Sequence, residues 1–131
     1  MPDQQPIEMI LLRQLAAYLA LPIWMMDEAG NLLYYNAPAE KLLGATFDDV
    51  GPIHAEELGA LFQTSQVDDP GRTDVEIPVV TALRTRHPAH GPIRFCGLDG
   101  VWREVDISAL PIEGQGGRFL GVVAAFFEVA D

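Results

Sequence analysis

The sequence predicts an α+β domain: a five-stranded antiparallel sheet, helices on one of its faces, and an amphipathic helix ahead of the first strand. Three observations carry this. Strand-like runs come as two near the start and three at the end, with helical segments between them. The last run, 119–129, is apolar on both faces, which marks a central strand covered on both sides. A chain of 131 residues, 49% of them hydrophobic, can build one core without a disulfide or a metal.

Residues 7–21 place Ile7, Ile10, Leu11, Leu15, Tyr18 and Leu19 at helical spacings, and Met9 and Leu12 widen the stripe. Pro6 suits the first turn and Pro22 ends the helix. A stripe this wide is more than one contact with the chain's own body needs, so a pairing surface is expected. Residues 22–27 are apolar on both faces and form the first strand. Asp27 to Asn31 is turn chemistry around Gly30, and Leu32 to Tyr35 completes a hairpin. Asn36 caps a short helix over 37–43, with Pro38 in its first turn and Gly44 at its end.

Residues 45–75 are mixed, with a short helix around 55–62 and a loop at 68–71. A second helix runs over 78–86 with Val79, Val80 and Leu83 on its apolar face, and Pro88 stops it. Residues 92–98, the Asp99-Gly100 turn and residues 101–112 read as a hairpin. In its second strand Trp102, Glu104, Asp106, Ser108 and Leu110 share one face. Arg103, Val105, Ile107, Ala109 and Pro111 share the other.

The net charge is −11. Residues 1–76 hold three basic and thirteen acidic groups, a net of −10, and the rest of the chain is nearly neutral. That sign repels phosphate, so neither nucleic acid nor an anionic membrane surface is an expected partner. One cysteine, Cys96, excludes an internal disulfide and a multi-cysteine metal site, and fits a reducing compartment. The opening residues lack a basic run, and the longest uncharged run, 14–26, is too short to cross a bilayer and is broken by Pro22. A cytoplasmic protein is expected.

Catalytic chemistry is not signalled. Asp48, Asp49, Glu56, Glu57, Asp68 and Asp69 lack the spacing of an EF-hand loop and read as solvated carboxylates. No Ser/His/Asp order, Walker sequence or Gly-x-Gly-x-x-Gly motif is present. No enzyme, catalytic residue or metal site is expected.

Two segments resemble the PAS family. LPIWMMDEAGNLLYYNAPAEKLLG at 21–44 is similar to the PAS core, with its proline-led strand, Asp27 and Gly30 at the turn, Asn36, Ala39-Glu40 and Leu43-Gly44. LDGVWREVDISALPIEGQGGRFLGVVAAFFEV at 98–129 is similar to the C-terminal PAS segment, with Asp99-Gly100, an aromatic–Arg pair, Pro111-Ile112 and Gly121-Val122-Val123. The resemblance implies a profilin-like sheet in the order 2-1-5-4-3. It divides the chain into an N-terminal helix, 1–21, acting as a dimerisation cap, and a PAS domain, 22–131. It also implies a sensory or interaction module, often dimeric and rarely an enzyme. Where many relatives end the last strand in Asp-Ile/Val-Thr, this chain has Glu128-Val129-Ala130.

Flavin photosensors of the family carry a cysteine in a helix segment for which 53–63 stands here, without one. Cys96 instead reads as a small buried hydrophobe on a strand. Haem-binding relatives use a histidine on the long helix; His87 sits at its frayed end and His90 in a loop, so no cofactor is expected. A pocket between sheet and helices would be walled by Met25, Phe62, Val79, Leu83, Phe95, Val105, Ile107, Val123 and Ala125. A filled core and a pocket for a small apolar or aromatic ligand are evenly weighted. The dimer interface is expected at Ile7, Leu11, Leu15, Tyr18, Trp102 and Leu110. The leading function is a signal-transduction module with a second copy and a signalling protein as partners, and regulation of transcription as an output. The alternatives are a small enzyme or carrier in an isomerase-like cone, which needs a buried acid or base, and a haem-binding PAS sensor.

Overall fold

The computed structural model describes residues 6–67, 69, 71–72 and 76–128; Asp68, Pro70 and Val129, which the sequence places in a loop and in the last strand, lie outside these. The elements run α1 (Ile7–Tyr18), β1 (Ile23–Asp27), β2 (Leu32–Tyr35), α2 (Ala37–Leu43), α3 (Phe47–Val50), α4 (Ala55–Leu61), α5 (Pro78–Thr85), β3 (Ala89–Cys96), β4 (Trp102–Glu113) and β5 (Phe119–Glu128). The strands form one antiparallel sheet in the order β2-β1-β5-β4-β3, so the doubly apolar last strand is the central one, as expected.

Three local details differ from the expectation. The first helix ends at Tyr18, where the Leu19 backbone turns extended, because the chain must straighten before Pro22. β3 starts at Ala89, so Pro92 lies inside a strand and His90 on one rather than in a loop. An edge strand tolerates this, since proline's missing N–H can face solvent. A further helical turn, α3, forms because the Thr46 hydroxyl accepts from the Asp49 N–H at 3.2 Å and so caps it.

The β1–β2 turn is built by Asp27, whose carboxylate accepts from the N–H groups of Ala29 and Asn31. That hairpin holds the entry to α4: Leu32 N–H donates to Ile53 O and Ala55 N–H to Gly30 O, both at 2.8 Å. His54 caps α4 by accepting from Glu56 N–H at Nδ1, which leaves Nε2–H to donate to Ala29 O. At the other end of the sheet Leu98 N–H donates to Leu43 O, and Arg103 pairs with Asp99 while reaching Lys41 O. Arg103 holds the Asp99 carboxyl below its ordinary range.

The two sheet faces carry separate clusters. The inner face packs α2, α4 and α5 against Trp24, Met26, Tyr35, Ile93, Phe95, Val105, Ile107, Ala109, Val122, Ala124 and Phe126. The outer face seats α1 through Met9 and Ala16 on Ile23, Met25 and Leu120, with Leu12, Val123 and Ala125 beside them. Near its start β5 changes phase. Ile112 faces Gly121 and Glu113 faces Phe119, so Leu120 is an extra residue and turns outward. Gly121 makes this bulge feasible: at φ +155° a Cβ there would collide with the Met26 carbonyl oxygen and crowd the Met9 methyl.

Candidate functional site

In the inner core, Trp24 stacks on Tyr35 at 5.7 Å and on Phe126 at 5.9 Å and meets the edge of Phe62 at 6.2 Å. Phe95 closes the row against Phe62 at 6.1 Å. The cavity left beside them measures about 30 Å³, room for a single water rather than for an aromatic metabolite. Of the residues the sequence assigned to a pocket, Phe62, Val79, Phe95 and Ile107 border this cavity. Val105 and Leu83 pack in the same core without lining it.

Met25, Val123 and Ala125 do not belong there: they lie in the outer cluster under α1. Trp24 and Phe126 take the inner places instead. The physical reason is parity. β1 and β5 are apolar on both faces, so alternation alone cannot tell which set faces the helices, and a one-residue phase error moves every side chain to the other side. Pairing fixes it, because Met25 faces Val123 and Ile23 faces Ala125 across the ladder.

The Tyr35 hydroxyl donates to Ala45 O at 2.8 Å. Burial, with the carboxylates of Glu40 and Asp49 adding to it, pushes this phenol above its ordinary range. The folded form therefore keeps its proton at a pH where the unfolded chain loses it. Its contribution to stability is complete below about pH 10 and falls as pH rises past that value. Tyr35→Phe is expected to lose about 1 kcal/mol at neutral pH and to flatten the alkaline decline. Denaturant melts at pH near 8 and near 11 check this, and an unchanged decline would contradict it.

The two loop-end histidines are on the surface: His87 follows α5 and His90 is exposed on the edge strand β3, and neither borders the cavity. Cys96 is buried with its thiol against Gly97 O. The acidic pairs Asp48–Asp49 and Glu56–Glu57 stand exposed in the first turns of α3 and α4, and Asp69 is exposed as well. No group of three metal-ligating side chains occurs among the described residues.

On the outer face α1 divides cleanly. Met9 and Ala16 are 2% and 1% exposed against the sheet, whereas Ile7, Leu11, Leu15 and Tyr18 on the opposite side are 63%, 56%, 56% and 90% exposed. The spacing of four, four and three puts those four in one line along the helix. Leu110 is half exposed on β4 beside the α1 seat, since its partner Val123 lies in that seat. Trp102 stands apart. It is eight residues, about 26 Å, further along β4, with the exposed carboxylates of Glu104 and Asp106 between, and Arg94 covers its ring at 3.9 Å.

Asn36 ties this helix to the rest of the fold. It is fully buried, and all four hydrogen-bonding positions of its amide are used. Oδ1 accepts from Ile23 N–H and Ala39 N–H; Nδ2 donates to Ala16 O and Leu21 O. The capping role was legible in the sequence. The second role, holding the last turn of α1 and the start of β1, was not, because Ala16 and Leu21 offer only backbone oxygen.

Solved structures resemble this arrangement at low identity. The PAS domain of a protein from Colwellia psychrerythraea superposes with a TM-score of 0.64 at 16% identity, covering 93% of this chain and 97% of that one. The PAS domain of BvgS from Bordetella pertussis gives 0.64 at 18%, covering 95% and 87%. The LOV protein of Rhodobacter sphaeroides gives 0.72 at 13%, covering 95% and 69%. No curated protein matches the sequence. Residues 11–128 match the PAS fold as a family. With the strand order, the helical layer and the outer helix all in place, this chain belongs to the PAS fold family.

Proposed function

We propose that this protein is a signal-transduction module that acts through protein contact, pairing with a second copy along the outward side of α1. The observation that carries this reading is the line Ile7, Leu11, Leu15 and Tyr18, uncovered on a helix whose other side is already seated on the sheet. Leu110 extends the surface, and Trp102 is left outside it. A small apolar or aromatic ligand in the core is the weaker part of the reading, because aromatic rings fill that space.

An enzyme in the isomerase-like cone would need a buried acid or base. Among the described residues no Asp, Glu, His, Lys or Arg is buried, and the buried phenol of Tyr35 holds its proton and spends it on Ala45 O. A haem site would need a free histidine facing the core; His87 and His90 face solvent, and both ring nitrogens of His54 are held, by Ala29 O and Glu56 N–H. A signalling protein is the expected second partner. An output in the regulation of transcription belongs to the same reading. Among the described residues no helix is long and apolar enough to cross a membrane, and a cytoplasmic location is part of it too.

The double substitution Leu11→Glu with Leu15→Glu tests it. Both side chains are more than half exposed, so the fold should survive. Burying each leucine in a pair is worth roughly 1.5–3 kcal/mol, so two lost anchors should break a modest dimer. Light scattering should report a dimer for the parent and a folded monomer for the variant. A parent that stays monomeric at high concentration, or a variant that stays dimeric, sinks the reading.

A further inference from the structure

The outer face holds a second concave feature, on the flank of α1 away from β4. A groove of about 480 Å³ runs between α1 and β1–β2, a size that suits a small ligand. Its floor is apolar, from Met9, Met25 and Leu33; its rim is polar, from Arg13, Gln14 and Tyr34. In a chain with 19 acidic and 8 basic residues, this groove has a cation and no carboxylate among its lining residues. The groove's one charged lining residue is therefore opposite in sign to the net charge of the molecule.

We propose that the groove between α1 and β2 binds an amphipathic monocarboxylate, its carboxylate on Arg13 and its hydrocarbon body on Met9, Met25 and Leu33. Arg13 lies over the Tyr34 ring at 4.7 Å, and Tyr34 is braced from the other direction by the edge of Phe47 at 6.3 Å. Stacking occupies the face of the guanidinium and leaves its in-plane N–H groups for two parallel bonds to a carboxylate. No described carboxylate pairs with Arg13. The Tyr34 hydroxyl and the Gln14 amide supply further donors on the same rim. A hydrocarbon body covers methionine and leucine surface that water otherwise wets. Such a ligand touches α1 and β2 at once and would pin the helix to its seat.

This goes beyond the pairing proposed above and does not need it, since the groove is off the line of Ile7, Leu11, Leu15 and Tyr18. The test uses protein labelled with ¹³C in its methionine methyl groups, titrated with octanoate and, separately, with octylamine. Met9 and Met25 line the groove, whereas Met26 sits in the inner core and reports a ligand there. Saturable shifts at Met9 and Met25 with Met26 still, octylamine at least ten-fold weaker, and a Kd raised at least ten-fold in Arg13→Gln support the proposal. Arg13 is exposed, so that variant should keep its melting temperature. Repeating the titration on the Leu11→Glu/Leu15→Glu protein separates the two readings, because groove binding should persist there. Movement of Met26 alone, equal binding of octylamine, an unchanged Kd in Arg13→Gln, or no saturable shift at millimolar octanoate overturns it.

Discussion

Asn36→Ala should be the most damaging single change outside the aromatic core. It removes the α2 cap, worth about 1 kcal/mol, strips the amide partner from Leu21 O and Ile23 N–H, and takes one of two partners from Ala16 O, which keeps the Leu19 N–H. Buried groups left without partners cost about 1–3 kcal/mol each, and relaxation toward water will recover part of that. A loss on the order of 3–5 kcal/mol is the expected result of a denaturant melt. Asn36→Asp separates the two roles. The carboxylate still accepts from Ala39 N–H and caps α2 as well as asparagine does. It cannot donate to Ala16 O and Leu21 O, and it sets negative charge against both. Hydrogen exchange should then show fast amides in α1 with α2 still protected. Equal protection of both helices in Asn36→Asp, or a loss under 1 kcal/mol in Asn36→Ala, would contradict the clamp.

Trp24→Ala should be comparably severe, by a different route. The ring contacts Tyr35, Phe62 and Phe126 at once and is 3% exposed. Deleting a ring of this size from a packed core costs roughly 3–5 kcal/mol. The indole N–H has no hydrogen-bond partner, so losing it removes a buried unpaired donor and offsets part of that cost. The hole left behind is apolar and should take up indole from solution, recovering part of the melting temperature. A loss under 1 kcal/mol, or no recovery with indole, would mean that Trp24 does not fill the core as described.

Much of the fold was legible because its signals are local. Two strands, helices, then three strands, with the doubly apolar run last, lead to a central β5 through pairing rules alone. Turn and cap residues at Asp27, Asn36, Gly44 and Asp99 could be placed from their chemistry. The site was less legible where the signal is tertiary. The strand residues 22–27 and 119–129 are apolar whichever way they face, which is why Met25, Val123 and Ala125 were assigned to the wrong side and Trp24 and Phe126 were missed. The bulge at Gly121 depends on how closely Met26 approaches, a fact about the neighbouring strand. On α1 the wide apolar stripe was visible, but which part is seated required knowing that Met9 and Ala16 meet Ile23, Met25 and Leu120. Trp102 looked like interface because its partner, Arg94, lies on another strand.

The most direct measurement of the pairing surface is a cross-link through α1 itself. In a two-fold dimer a residue near the axis faces its own counterpart, and Leu11 and Leu15 are the middle of the exposed line. In a Cys96→Ala background, Leu11→Cys and Leu15→Cys are oxidised at low protein concentration, with Glu57→Cys on exposed α4 as the control. Rapid disulfide-linked dimer in at least one of the α1 variants, with the control remaining monomeric, is the expected result. Dimer yield in both α1 variants no higher than in the Glu57 control would contradict the account.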